Sequence, residues 1–125
     1  MTFAGLQPKE LMPAFLSSSD VCLVHLARRE LFQSVLPSKL LEACASAKPI
    51  ILGIEGYAAR LLQQMEAGIC MEPENPGDLI AAVKRLAEEP GLADRMGRAG
   101  RAHVMDHFNP DVLAKAYLAV LEGIC

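Results

Sequence analysis

No apolar run in this chain approaches the ~20 residues needed to cross a bilayer. The opening MTFAGLQPKE has no basic segment ahead of an apolar core, so it does not read as a secretory leader. Basic charge is not in excess: the net charge of −3 argues against a nucleic-acid partner, which would call for a basic face. Paired cysteines are missing too. The four cysteines, Cys22, Cys44, Cys70 and Cys125, form no C-x-x-C motif. Three of them lie in apolar runs, where cysteine behaves as a small hydrophobe, so they read as reduced thiols of a cytosolic protein. Gly53, Gly56 and Gly68 are too widely spaced for the G-x-G-x-x-G dinucleotide fingerprint, and there is no Walker loop. Solenoid repeats, low-complexity tracts and linkers are likewise absent.

What is present suits one α/β domain of 125 residues, 52% hydrophobic and 22% charged. Four short segments read as strands: MTFAG, Asp20–Leu26, Pro49–Ile54 and Gly68–Glu72. The central two are continuously apolar, without alternation, as in a sheet covered on both faces. Helical patterns lie between them. PKELMPAFLSSS places Pro13 in a first turn, SKLLEACASA follows Pro37, and YAARLLQQMEA aligns Ala58, Leu61, Leu62 and Met65 on one stripe. Strand and helix alternate over residues 1–72, which predicts a parallel sheet with crossover helices. Residues 73–125 read as helices only. Asn75-Pro76 and Asn109-Pro110 are matching start signals, and Leu79, Ile80, Val83 and Leu86 form the stripe of the first helix. A sheet of so few strands leaves an edge that wants a partner, a route to a homo-oligomer.

The stretch LPSKLLEACASAKPIILG carries the most suggestive chemistry. Ligands of open α/β sheets bind beyond the carboxyl ends of the strands, and the first amides of a helix attract phosphate. Pro37, Ser38 and Lys39 stand at such a helix start. Glu42 shares a helix face with Ser38 and suits sugar hydroxyls. The alternative makes Ser38 an N-cap and leaves Lys39 and Glu42 solvated. The GIEGY loop around Gly56 either admits a ligand to backbone amides or simply turns strand into helix, and the two are compatible. His25 either reaches a site at the strand tips or is a satisfied, half-buried histidine. His103 and His107 have metal-ligand spacing without a third ligand or the glutamate of H-E-x-x-H. Arg95, Arg98 and Arg101 either bind phosphate or an acidic surface, or pair with Glu88, Glu89 and Asp94.

The order of SVLPSKLLEACASAKPIILGIEG, AGICMEPENPGDLIAAVKRLAEEP, RMGRAGR and HF resembles the C-terminal region of group 1 retaining glycosyltransferases of the GT-B fold. The polysaccharide-building subgroup is the nearest in pattern. The resemblance runs over the whole chain. It implies a Rossmann-like, donor-binding half of a two-domain enzyme, with a nucleotide-sugar as substrate, no further cofactor and no metal. A pair of glutamates eight apart is typical of the family. The second, on the ribose, falls at Glu42; the first, on the sugar, falls at Ser34, a departure. Ala47 likewise stands where glycine is usual. The family's diphosphate-binding arginine and lysine, and its acceptor domain, precede the segment matched here. The resemblance therefore implies a partial donor domain with no catalytic residue of its own, inactive alone. It also implies a cytoplasmic enzyme, with the whole protein peripheral at the inner membrane face. Two other classes fit the residues: a stand-alone nucleotide-binding or interaction module, and an α/β epimerase, for which no acid/base pair is evident.

Overall fold

The continuously apolar runs form the sheet. In a computed structural model that describes residues 1–124, Cys22–His25 (β1), Ile50–Gly53 (β2) and Gly68–Cys70 (β3) pair in parallel in the order β1-β2-β3. The register aligns Leu23 with Ile51 and Ile51 with Ile69, and Val24 with Leu52 and Leu52 with Cys70. These two rows point to opposite faces, and both faces are needed for burial.

Met12–Ser18 (α1) precedes β1, with Pro13 in its first turn and a short 3-10 turn, Lys9–Leu11, before it. Ser38–Ala45 (α2) and Tyr57–Met65 (α3) make the crossovers. Pro76–Glu88 (α4), Leu92–His107 (α5) and Pro110–Ile124 (α6) follow. One face of the sheet, through Val24, Ile50 and Leu52, packs on α2, α3 and Val104 of α5. The other, through Ile51, Met71 and Ile69, packs on Leu79, Ala82 and Leu86 of α4. α3 buries Ala58, Leu61, Leu62 and Met65, the stripe expected from its spacing. Asn75 caps α4, its side chain accepting from the Asp78 amide at 3.1 Å. Asn75→Ala should lower stability by about 1 kcal/mol in urea denaturation, the usual value of such a cap.

Two expectations are corrected. MTFAG is not a strand: Met1 and Phe3 are exposed to solvent and the segment joins no ladder among the described residues. An apolar pentapeptide becomes a strand only where its amides and carbonyls find partners, and none of the described residues offers them to it. On α4, Ile80 and Val83 are exposed and Ala82 is buried instead. The small alanine lets the helix approach Ile51, while the bulkier pair drew the stripe toward the wrong face.

Two helix ends hold strained backbone. After α2, the Ala47 amide donates to Cys44 O at 2.9 Å and the Lys48 amide to Ala43 O at 3.1 Å. This is a Schellman turn that puts Ala47 at φ 55°. Glu66 closes α3 the same way at φ 53°. A left-handed alanine costs about 1 kcal/mol relative to glycine. Ala47→Gly is thus expected to raise the unfolding free energy by up to ~1 kcal/mol, read from the denaturation midpoint.

Cys22, Cys44 and Cys70 are free thiols; Cys125 lies outside the described residues. Burial, with a smaller contribution from nearby Cys22, pushes the Cys44 thiol up to about 11, so it is held as the neutral, unreactive form. Among the described residues no helix is long and apolar enough to cross a membrane.

Candidate functional site

The carboxyl ends of the three strands carry a cluster of charged groups drawn from three loops. The β1–α2 connection turns through a 3-10 segment, Glu30–Ser34, and enters α2 at Pro37. Pro37, not Ser38, is the N-cap position, and a proline side chain accepts no hydrogen bond. The N-terminus of α2 thus has no side-chain cap. The same holds for α3, where Gly56 is the N-cap. Free amides at both helix starts therefore lie at the ligand-binding end of the sheet.

Gly56 sits at φ 84°, and a side chain there would collide with the Gln33 carbonyl. Its first role is to seat the β1–α2 loop against the start of α3. Ser34 lies in that loop, exposed, its hydroxyl 3.4 Å from Leu31 O. Lys39 and Glu42 are exposed on α2 and form no ion pair or side-chain hydrogen bond among the described residues. They are not on open surface, however. With Met12 and Phe15 of α1 they line a groove of about 510 Å³ that runs along β1 from Val21 to Val24. β1 is an edge strand, and among the described residues its outer side carries no ladder partner.

At the carboxyl ends of the strands, Arg28 bridges the tips of all three. Its Nη2 lies 2.7 Å from Glu72 Oε1 and 3.3 Å from Glu55 Oε1. Its backbone amide donates to Glu74 Oε2 at 3.3 Å. The Glu74 amide in turn donates to His25 Nε2 at 2.9 Å. His25 faces Gly53 in register, and any side chain at Gly53 would collide with the imidazole. The hydrogen bond to Glu72 and the charge of Glu55 hold the Arg28 guanidinium above its usual pKa. Hydrogen bonds from Arg28 and then Asn75 hold Glu72 below the usual carboxylate range.

Of the residues singled out above, Ser34, Pro37, Ser38 and Gly56 surround one pair of loops, and Lys39 and Glu42 line the neighbouring groove. His25 does reach the strand tips. Arg28, Glu55, Glu72 and Glu74 were missed. Their signal was a charged residue two to four positions beyond each strand, in LARRE, GIEGY and CMEPE. The remaining candidates have structural partners. Arg98 pairs with Asp94 at 2.7 Å and Arg95 with Glu89 at 3.5 Å. Arg101 Nη1 donates to Ala45 O at 2.8 Å, closing the end of α2. His103 and His107 stack at 4.2 Å, and no third ligand-bearing side chain joins them among the described residues.

A parallel sheet with uncapped helix starts at its carboxyl edge defines the class of open α/β domains, whose ligands bind at that edge. Residues 1–103 match the family described as glycosyl transferases group 1, and the chain belongs to that family. It is 29% identical over 87 residues to a glycogen synthase of Mycobacterium tuberculosis, covering 66% of this chain and 21% of that protein. It is 33% identical over 76 residues to a D-inositol 3-phosphate glycosyltransferase of Streptomyces bingchenggensis, covering 61% of this chain and 16% of that one. The chain thus spans about a fifth of the length of these curated relatives. The fold is that of part of sucrose-phosphate synthase from Thermosynechococcus elongatus, with a TM-score of 0.75 and 23% identity over 98% of this chain and 30% of that structure.

Proposed function

We propose that the chain supplies part of the donor site of an enzyme that transfers a sugar from a nucleotide-sugar to a cell-surface polysaccharide or glycolipid acceptor. The observation that carries this reading is the position of Glu42. Its carboxylate has no partner among the described residues and lines the groove on the open edge of β1, one turn below the uncapped start of α2. A carboxylate is acceptor-only, so it suits a pair of ribose hydroxyls. The amides of Ser38 and Lys39, the Lys39 ammonium and the start of α3 at Gly56 offer positive potential to a diphosphate, in the ground state and as it departs. Ser34, uncharged, takes the place nearest the sugar.

In this reading the chain has no catalytic side chain, and its partner is the rest of a larger enzyme, with the boundary of strand–helix units and helical part at residues 72 and 73. No cofactor or metal enters the reading. The proposed setting is the cytoplasm, with the whole enzyme at the inner membrane face where a lipid-linked acceptor would lie. The test is titration of the purified chain with UDP, GDP and ADP by calorimetry or NMR shifts. Weak binding of one nucleotide is expected, and no sugar transfer from any of the three nucleotide-sugars. A folded chain that binds none overturns the reading. The open edge of β1 also favours a second one, an interaction module that pairs with its own copy; a concentration-dependent dimer without nucleotide binding would select it.

A further inference from the structure

The ion pairs of Arg28 are unlike the others in the chain. Those of Arg85, Arg95 and Arg98 join residues near in sequence and decorate helices. Arg28 pairs with Glu55 and Glu72, 27 and 44 positions away, with side chains roughly half exposed on each side. Exposed pairs of this kind add little to global stability. Their effect is geometric. The guanidinium takes Glu55 from the β2–α3 loop and Glu72 from the β3–α4 loop, while the backbone of Arg28 takes Glu74. His25, laid across Gly53, takes the Glu74 amide from the other side. Each of the three loops is thus fixed to another through a side chain rather than a ladder. Glu55 directly precedes Gly56, and Gly56 is packed beneath Gln33. Fixing Glu55 therefore sets where the start of α3 stands relative to the loop that enters α2.

We propose that Arg28, assisted by His25, is a positioning residue of the nucleotide site. It locks the loops after β2 and β3 onto the loop after β1, and so holds the amides at the starts of α2 and α3 at the spacing a diphosphate needs. Arg28 does not itself bind the phosphates, because its guanidinium is already shared by Glu55 and Glu72. This inference rests on the donor-site reading above, and the experiment separates the two.

The chain would be prepared as wild type, Arg28→Gln, Arg28→Lys and His25→Leu. Three readouts are taken: amide exchange, the carboxyl titration of Glu72 by NMR, and affinity for the nucleotide that the wild type binds best. With Arg28→Gln, exchange at residues 54–56 and 72–75 is expected to rise about tenfold or more, while β2 and α3 stay protected. The Glu72 titration moves up toward the ordinary carboxylate range, and affinity falls about tenfold. Arg28→Lys, a point charge that reaches one carboxylate at a time, recovers part of the Glu72 shift and part of the affinity. His25→Leu loosens residues 72–75 alone. Loops that stay protected in Arg28→Gln overturn the clamp. Loosened loops with unchanged affinity overturn its role in the site. Lost affinity with protected loops overturns it too, by making Arg28 a direct ligand. If the wild type binds no nucleotide, the donor-site reading fails and the positioning role falls with it, while the exchange data still judge the clamp.

Discussion

Glu42→Ala is expected to leave the chain folded and to abolish its nucleotide binding. The side chain is exposed on α2, makes no internal hydrogen bond among the described residues, and sits in a helix that alanine favours. Its removal should therefore change the denaturation midpoint little. Binding is another matter. A carboxylate that accepts two ribose hydroxyls makes two charge-assisted bonds, each worth about 1.5–3 kcal/mol. A loss of about 3 kcal/mol is on the order of 100-fold in affinity, which takes a weak complex below detection by calorimetry. Glu42→Gln keeps an acceptor oxygen and removes the charge, so it should lose about tenfold. In the full-length enzyme the alanine variant should lose turnover by a similar two orders of magnitude with its fold unchanged. Wild-type turnover in that variant would take Glu42 out of the site.

How far the sequence led depends on the range of the interaction concerned. The buried stripe of α3 was readable because Ala58, Leu61, Leu62 and Met65 repeat at helical spacing within nine residues. The start of α4 was readable because Asn75 and Pro76 are adjacent and act on amides one turn away. β1 and β2 were readable as continuous apolar runs, and β3 as the shorter segment after α3. Ala82 was not, because its burial depends on how closely α4 approaches Ile51 rather than on its own hydrophobicity. MTFAG has the composition of a strand and lacks a ladder partner among the described residues. The start of α2 at Ser38, which carries Lys39 and Glu42 on the turns that follow, was legible because helix starts after strands are local features. The Arg28 network was not, because its partners come together only when β1, β2 and β3 lie side by side. The left-handed backbone of Ala47 was hidden for a similar reason: the letter alanine gives no sign of it, and only the turn geometry does.

Gly97→Val should produce the largest loss of stability of any variant considered. The α2–α5 contact brings the two helices close through glycine: a Cβ at Gly97 would collide with the Ala47 carbonyl, and one at Gly100 would press on Ala67 and Cys44. The obstacle at Gly97 is backbone, and that backbone is constrained twice. Ala47 forms the Schellman turn that ends α2, and the next residues, Lys48 and Pro49, lead directly into β2. Lys48 is held in turn by its ammonium, 2.8 Å from Ser17 O at the end of α1. The turn cannot yield without moving both α2 and the central strand, so α5 must move away, taking Val104 from the core and Arg101 from Ala45 O. Overpacking of this kind costs about 1–3 kcal/mol, more where the neighbour cannot shift. Alanine at the same position recovers up to ~1 kcal/mol of helix propensity lost to glycine, so Gly97→Ala should lose less, about 1–2 kcal/mol. Valine, β-branched and larger, should lose about 3 kcal/mol, a fall in Tm on the order of 10 °C. Chemical denaturation checks both, with the slope m unchanged if only the folded state is affected. Stability equal to wild type in Gly97→Val would mean that α5 does not rest on the Ala47 turn. The consequence reaches the site, because α2 carries Lys39 and Glu42 and is held at its far end by the Gly97 contact and Arg101. A still-folded Gly97→Ala chain should therefore bind nucleotide more weakly than wild type.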